Sequence, residues 1–188
     1  MTVQPPLDTA TAVEKLRTGH VIAYPTEAVY GLGCDPANEP AVRKLLELKG
    51  RHESAGLVLI ASDFSQLLPW ISDVNESLVN RAMQTWPGPV TWLFPRAAAV
   101  PDYVAGKHDT IAVRITAHKP SRDLCEAFES ALISTSANHS SAEPARSLSE
   151  VWDYFGSDIA GTLAGELGSG DKPSEIRDLV TGTIIRRG

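Results

Sequence analysis

Ten side chains in this sequence are of types that handle phosphate and carboxylate groups: Thr26, Lys49, Arg51, Thr110, Arg114, Ser134, Ser136, Asn138, Ser174 and Arg186. They recur at the ends of predicted strands and helices, where ligands gather in α/β proteins. Guanidinium and ammonium groups pair with phosphate oxygens and neutralise leaving-group charge, while hydroxyls and amides serve the remaining polar atoms. A nucleoside triphosphate needs that equipment. Taken singly, each has an ordinary structural role: Lys49 and Arg51 as the positive end of a helix C-terminus, Arg114 as a rim ion pair. They make a site only if the fold brings them together. Patterns for other chemistries are missing, since no GxxxxGK[ST], GxGxxG, GxSxG or HExxH occurs. His20, His52, His108, His118 and His139 lack ligand spacing, so no metal-binding residues are expected.

The elements that must position these groups follow from local pattern. The stretch Ile22–Asp35 is central: an apolar strand runs to Tyr24, Pro25 ends it, and Thr26, Glu27, Tyr30, Gly31 and Gly33 then share a predicted loop. That loop reads either as one wall of a site or as a plain structural turn. Asp8 caps a predicted helix to Arg17, and Asn38 caps another that ends at Gly50, leaving Lys49 and Arg51 at its exit. GLVLI at 56–60 reads as a strand buried on both faces. A short helix is expected over Ser62–Trp70 and a longer one over Asn75–Trp86 with Leu78, Val79, Ala82 and Met83 inward. Strands follow at 90–94, at 110–116 with Arg114 on one face, and at 131–134; Pro95–Asp109 reads as irregular loop and Ser121–Ser130 as helix. Ser147 and Glu150 form a capping box before a helix to Phe155. The span Gly161–Gly170 is open between mobile loop and ordered ligand clamp, and 176–180 with 183–187 flank a Thr181–Gly182 hairpin turn. Helices alternating with strands, closed by a hairpin, point to a mixed α/β sheet packed with helices.

Composition narrows the class. At 188 residues with 43% apolar content, the chain supports one well-buried core, and a single domain over 1–188 is expected. The net charge of −6 opposes nucleic acid as a ligand of the whole surface, so any polyanion site must be local. Cys34 and Cys125 read as reduced or buried thiols. With no leader-like N-terminus and no apolar run near the roughly 20 residues of a membrane span, a cytoplasmic protein is expected.

YPTEAVYGLGCDP, LLELKGR, WPGPVT, AVRIT, STSAN and PSEIRD, in this order over nearly the whole chain, closely resemble the YrdC/TsaC family of threonylcarbamoyl-AMP synthases. The resemblance implies a twisted, largely mixed or antiparallel sheet with flanking helices around a large cavity, the YrdC-like (DHBP synthase-like) fold. It implies the reaction of L-threonine, bicarbonate and ATP to threonylcarbamoyl-AMP and pyrophosphate, with Mg2+ carried on ATP. The product would pass to partner proteins that complete the t6A modification at position 37 of tRNA. By position, the resemblance assigns Thr26, Arg114, Ser134 and Ser174 to threonine. It assigns Lys49, Arg51, Thr110, Ser136, Asn138 and Arg186 to ATP, with Lys49 and Arg51 as catalytic groups on the phosphates. Glu27 stays open between orienting the amine, holding a metal and shaping the turn.

Two departures bear on the site. Family members often carry Pro after the K-x-R motif and a further Lys before the apolar strand; His52 and Ala55 stand here. The chain ends just after the core, as in the short bacterial form. A rival expectation is an RNA-binding or ribosome-assembly module that uses the same basic cavity for tRNA or double-stranded RNA, against which the acidic charge weighs.

Overall fold

The computed structural model describes residues 5–188; the first four residues lie outside the described residues. Helix starts follow the caps the sequence supplies. Asp8 accepts from the Thr11 amide and opens α1 (Thr9–Arg17). Asn38 accepts from the Ala41 amide and opens α2 (Glu39–Lys49), which Gly50 closes in the left-handed region at φ 58°. Further helices are α3 (Glu76–Met83), α4 (Asp102–Ala105), α5 (Lys119–Phe128) and α6 (Leu148–Phe155), the last behind the Ser147/Glu150 capping box.

Strands β1 (Ile22–Pro25), β2 (Tyr30–Gly33), β3 (Val58–Ala61), β4 (Val90–Pro95), β5 (Thr110–Ile115), β6 (Leu132–Ser136), β7 (Glu175–Asp178) and β8 (Ile184–Arg186) form one sheet of order β1-β2-β6-β3-β5-β4-β7-β8. The β3–β5 and β4–β7 pairs are parallel and the remaining neighbours antiparallel. This is the expected mixed α/β architecture, with the GLVLI strand at the sheet centre.

Side-chain alternation divides the sheet into two faces with different uses. On one face Leu59 and Ala61 of β3, Ile111, Val113 and Ile115 of β5, and Ile133 of β6 join Val42, Leu45 and Leu46 of α2 in the larger core. On the other, Ile22 and Tyr24 of β1, Ile60 of β3 and Leu132 of β6 pack against Leu16 of α1 and Leu124 and Phe128 of α5. The two helices cover only part of that second face. Val58, Ala112, Arg114, Ser134 and Ser136 continue the same rows beyond them and form the wall of a cavity.

Several elements differ from the sequence expectation. Gly31 and Gly33 lie in strand β2, not in a loop; the turn is confined to residues 26–29. Glycine disfavours strands on its own, but here backbone and rings press against it. A Cβ at Gly33 would lie 2.5 Å from both the Ile133 carbonyl and the Tyr24 ring. Between 62 and 70 only a 3-10 turn forms, at Ser65–Leu67, and the Pro95–Asp109 segment folds α4, which buries Val104 and Ala105. Met83, expected inward, is exposed because α3 ends there and only Ala82 of that helix is fully buried. Cys34 and Cys125 are separate, buried thiols.

Because Ile133 O is backbone and the Tyr24 ring is fully buried, neither can yield to a new methyl group. Gly33→Ala is therefore expected to destabilise the protein by about 1–3 kcal/mol in chemical denaturation; an unchanged midpoint would contradict this packing.

Candidate active site

The cavity has a volume of about 650 Å³, within the range of roughly 300–1,000 Å³ usual for small-molecule sites. Thr26, Arg51, Thr110, Arg114, Ser134, Ser136, Ser174 and Arg186 line it, so the fold brings together eight of the ten residues singled out from sequence. Thr110 and Arg114 lie four residues apart on β5, which at about 3.3 Å per residue separates the two ends of the site by roughly 13 Å.

At the Arg114 end, the guanidinium is buried with only 7% of its side chain exposed. Its Nη1 donates to Oε1 of Glu27, which sits in the β1–β2 turn, and Thr116 Oγ1 donates to the same oxygen at 2.7 Å. Burial opposes the Glu27 charge, but the Arg114 charge and the hydrogen bonds from Arg114 and Thr116 outweigh it and hold the carboxyl below its usual range. Arg114 Nε is buried without a partner. Thr26 spends its hydroxyl proton on Val29 O at 2.7 Å, which tightens the turn and leaves the oxygen as an acceptor. Gly31 stands between Thr26 and Ser134: a Cβ there would lie 3.2 Å from the Thr26 methyl and 3.6 Å from Ser134 Oγ, so its absence opens the wall. Ser174 Oγ shares a hydrogen bond with Thr91 Oγ1 at 2.9 Å.

The guanidinium of Arg51 stands near Thr110, and that of Arg186 lines the cavity from β8. Arg51 is steered by Nη2 donating to Gly56 O at 2.8 Å, and Arg186 by Nη2 donating to Ser174 O at 2.9 Å. Among the described residues neither has a carboxylate partner. Burial, and then the charge of Arg51, lowers the pKa of Arg186, so two cations face each other without compensation. Such a pair suits an anion that carries several charges.

Lys49 and Asn138 do not reach the cavity wall. Lys49 Nζ donates to Ser136 O at 2.6 Å, to Asn138 Oδ1 at 2.7 Å and to Ser136 Oγ at 3.3 Å, and the residue is 4% exposed. Both therefore stand behind Ser136 and fix its loop. Burial, and secondarily the charge of Arg51, pushes the Lys49 amine down to about 8.

Sequence reasoning missed Thr116, Arg146 and Lys172. Thr116 follows Arg114 at the strand spacing of two, a signal that could have found it. Arg146 bridges the β1–β2 turn and the segment before β7 by donating to Ala28 O at 3.4 Å and Asp171 O at 3.1 Å, and no local pattern announces this. With Arg146 and Lys172 the cavity lining holds five Arg or Lys against three Asp or Glu, a basic balance inside an acidic chain. Among the described residues no three His, Cys, Asp or Glu side chains are placed to hold a metal, and no helix is long and apolar enough to cross a membrane.

Lys49 gives stability a pH dependence. Between about 8 and its usual 10.5 the unfolded chain holds a proton that the folded chain has released, so stability rises with pH across that window. Lys49→Met removes this component. The stability difference between wild type and variant in urea denaturation is expected to move in favour of wild type by about 3 kcal/mol from about pH 7.5 to about pH 10.5; a constant difference would count against a buried amine.

Residues 14–188 match the Sua5/YciO/YrdC family model, described as telomere recombination. The threonylcarbamoyl-AMP synthase of Halorhodospira halophila is 48% identical over 176 residues, 94% of this chain and 92% of that protein. Among solved structures, P. abyssi Sua5 complexed with L-threonine superposes with a TM-score of 0.86 at 30% identity, over 93% of this chain and 54% of that longer one. E. coli YciO superposes with a TM-score of 0.84 at 26% identity, over 96% of this chain and 88% of that one. A family model spanning nearly the whole chain, and a relative nearly half identical across nine-tenths of both sequences, establish that this protein belongs to the Sua5/YciO/YrdC family.

Proposed function

We propose that this protein is a nucleotidyl-transferring enzyme that forms L-threonylcarbamoyl-AMP and pyrophosphate from L-threonine, bicarbonate and ATP, for the t6A modification of tRNA. One observation carries the reading: a single cavity holds the guanidiniums of Arg51 and Arg186, which have no carboxylate partner among the described residues, together with the buried Arg114. A triphosphate suits the first two and an amino-acid carboxylate the third. The relative from H. halophila bears the synthase name and the P. abyssi relative was solved with L-threonine, which supports the same assignment here.

In this reading threonine amine and bicarbonate give an N-carboxylate, with loss of water. A carbamate oxygen attacks the α-phosphorus, the bond from that phosphorus to the bridging oxygen breaks, and pyrophosphate leaves. The chain supplies no side-chain nucleophile for this step. Arg114, Thr26, Ser134 and Ser174 orient the amino acid, while Arg51, Arg186, Thr110 and Ser136 hold and neutralise the phosphates, so catalysis rests on proximity and charge. Lys49 and Asn138 act through Ser136, whose loop they fix. Magnesium would arrive on the ATP phosphates and would share with Arg51 and Arg186 the neutralisation of their charge. The product then passes to the proteins that transfer it to tRNA. The RNA-binding reading has less behind it, because the basic groups are gathered within a concave pocket and the chain as a whole is acidic.

Pyrophosphate release measured with ATP, Mg2+, bicarbonate and each amino acid in turn is expected to depend on threonine. Arg114→Ala should raise the KM for threonine, and Arg51→Ala that for ATP, each by roughly ten- to a hundredfold, the loss of a charge-assisted contact. Release indifferent to the amino acid supplied would sink the proposal.

A further inference from the structure

Building on the proposed function, we propose that Glu27 is a positioning residue that presents Arg114 to the carboxylate of the amino-acid substrate, and that Gly168 and Gly170 hold Glu27 for this task. Arg114 rises from β5 on a long, flexible stem and its guanidinium has three N–H-bearing nitrogens. Glu27 Oε1 takes Nη1, and among the described residues neither Nε nor Nη2 has an acceptor. Those two nitrogens share one edge of the planar group; Nε is buried, so the terminal nitrogen Nη2 is the one left to meet a carboxylate oxygen. Occupying Nη1 fixes the rotation of the plane and so aims Nη2 before substrate arrives.

Glu27 is itself held from two sides. Thr116 Oγ1 donates to its carboxylate at 2.7 Å. The main chain on either side is gripped by the glycine-rich segment after α6: Gly168 N–H donates to Thr26 O at 2.9 Å and Gly170 N–H to Glu27 O at 2.8 Å. Neither glycine tolerates a side chain. A Cβ on Gly168 would come within 2.6 Å of Glu27 O and 2.8 Å of Glu27 Cα, and one on Gly170 within 2.9 Å of Glu27 O. These are backbone atoms with no freedom to withdraw, so only glycine permits so close an approach. The segment that reads in sequence as either mobile loop or ligand clamp thus clamps a residue of the site.

Steady-state kinetics on Glu27→Gln test this, because the amide keeps the shape and loses the charge that orders Arg114. The KM for threonine is expected to rise at least tenfold while the KM for ATP stays within twofold, and calorimetric titration with L-threonine should show the same loss. Gly168→Ala is expected to act in the same direction. Thr116→Val, which removes the hydroxyl that donates to Glu27 and accepts from His118 N–H at 3.2 Å, gives a smaller rise of about three- to tenfold and keeps the test open if Gly168→Ala fails to fold. Threonine affinity unchanged in Glu27→Gln, or lost in parallel with ATP affinity, would overturn the positioning role and leave the proposed function standing. Wild-type protein that neither binds threonine nor releases pyrophosphate overturns both.

Discussion

A guanidinium placed near the middle of an eight-stranded sheet must be paired, because an isolated buried charge costs far more than the sheet can return. The Arg114–Glu27 contact supplies that pairing, and it dictates much of what surrounds it. Glu27 can reach Arg114 only if β1 and β2 fold back through a tight turn at 26–29. The turn lies over the cavity only if β2 then pairs with β6, as Gly31 does with Ser136. One ion pair thus ties the edge hairpin to the central strands and leaves open space between them. Lys49 plays a parallel part below the wall, where three acceptors on Ser136 and Asn138 compensate its burial and make the end of β6 rigid.

The cavity exists because α1 and α5 cover only half of one sheet face. Rows of side chains that begin as core, Ile60 on β3 and Leu132 on β6, continue as Val58, Ser134 and Ser136 where no helix lies above them. The same alternation that buries Val113 and Ile115 behind the sheet presents Thr110, Ala112 and Arg114 in front. Binding residues need no special loop to carry them; they occupy ordinary strand positions that the packing leaves uncovered. The charge pattern follows the same economy, with basic groups concentrated in this one hollow of an acidic chain, where low dielectric and concave walls strengthen their field.

Most of the fold was legible because its signals are local. The caps at Asp8, Asn38 and Ser147, the left-handed Gly50 and the alternation through 110–115 each need only a few neighbouring residues. What escaped depends on distant partners. Gly33 reads as loop because the Tyr24 ring and the Ile133 carbonyl that require its small size come from another strand nine residues back and from a strand a hundred residues on, and Gly31 is read with it. Met83 fits an inward stripe that α3 is too short to complete. The eight cavity residues were named as a set, yet whether Lys49 faces ligand or protein depends on how the 136–138 loop folds back on α2, which no periodicity encodes. The same holds for Arg146, whose two acceptors come from opposite sides of the cavity mouth.

The two margins of the sheet are treated differently. Along β1, Ala23 exchanges hydrogen bonds with Gly161 and Leu163, and Leu7 with Thr162 and Ala164, so the outer backbone groups of that strand are already spoken for. At the opposite margin β8 is only three residues long, Ile184–Arg186, and a short edge strand is a poor template for a neighbour. A sheet with one margin covered and the other three residues long offers little for another chain to extend, which matters because β8 itself exposes Ile184 and Ile185. The glycine-rich segment beside β1 is therefore also a guard against strand-by-strand aggregation, and damage to it would endanger solubility as well as shape.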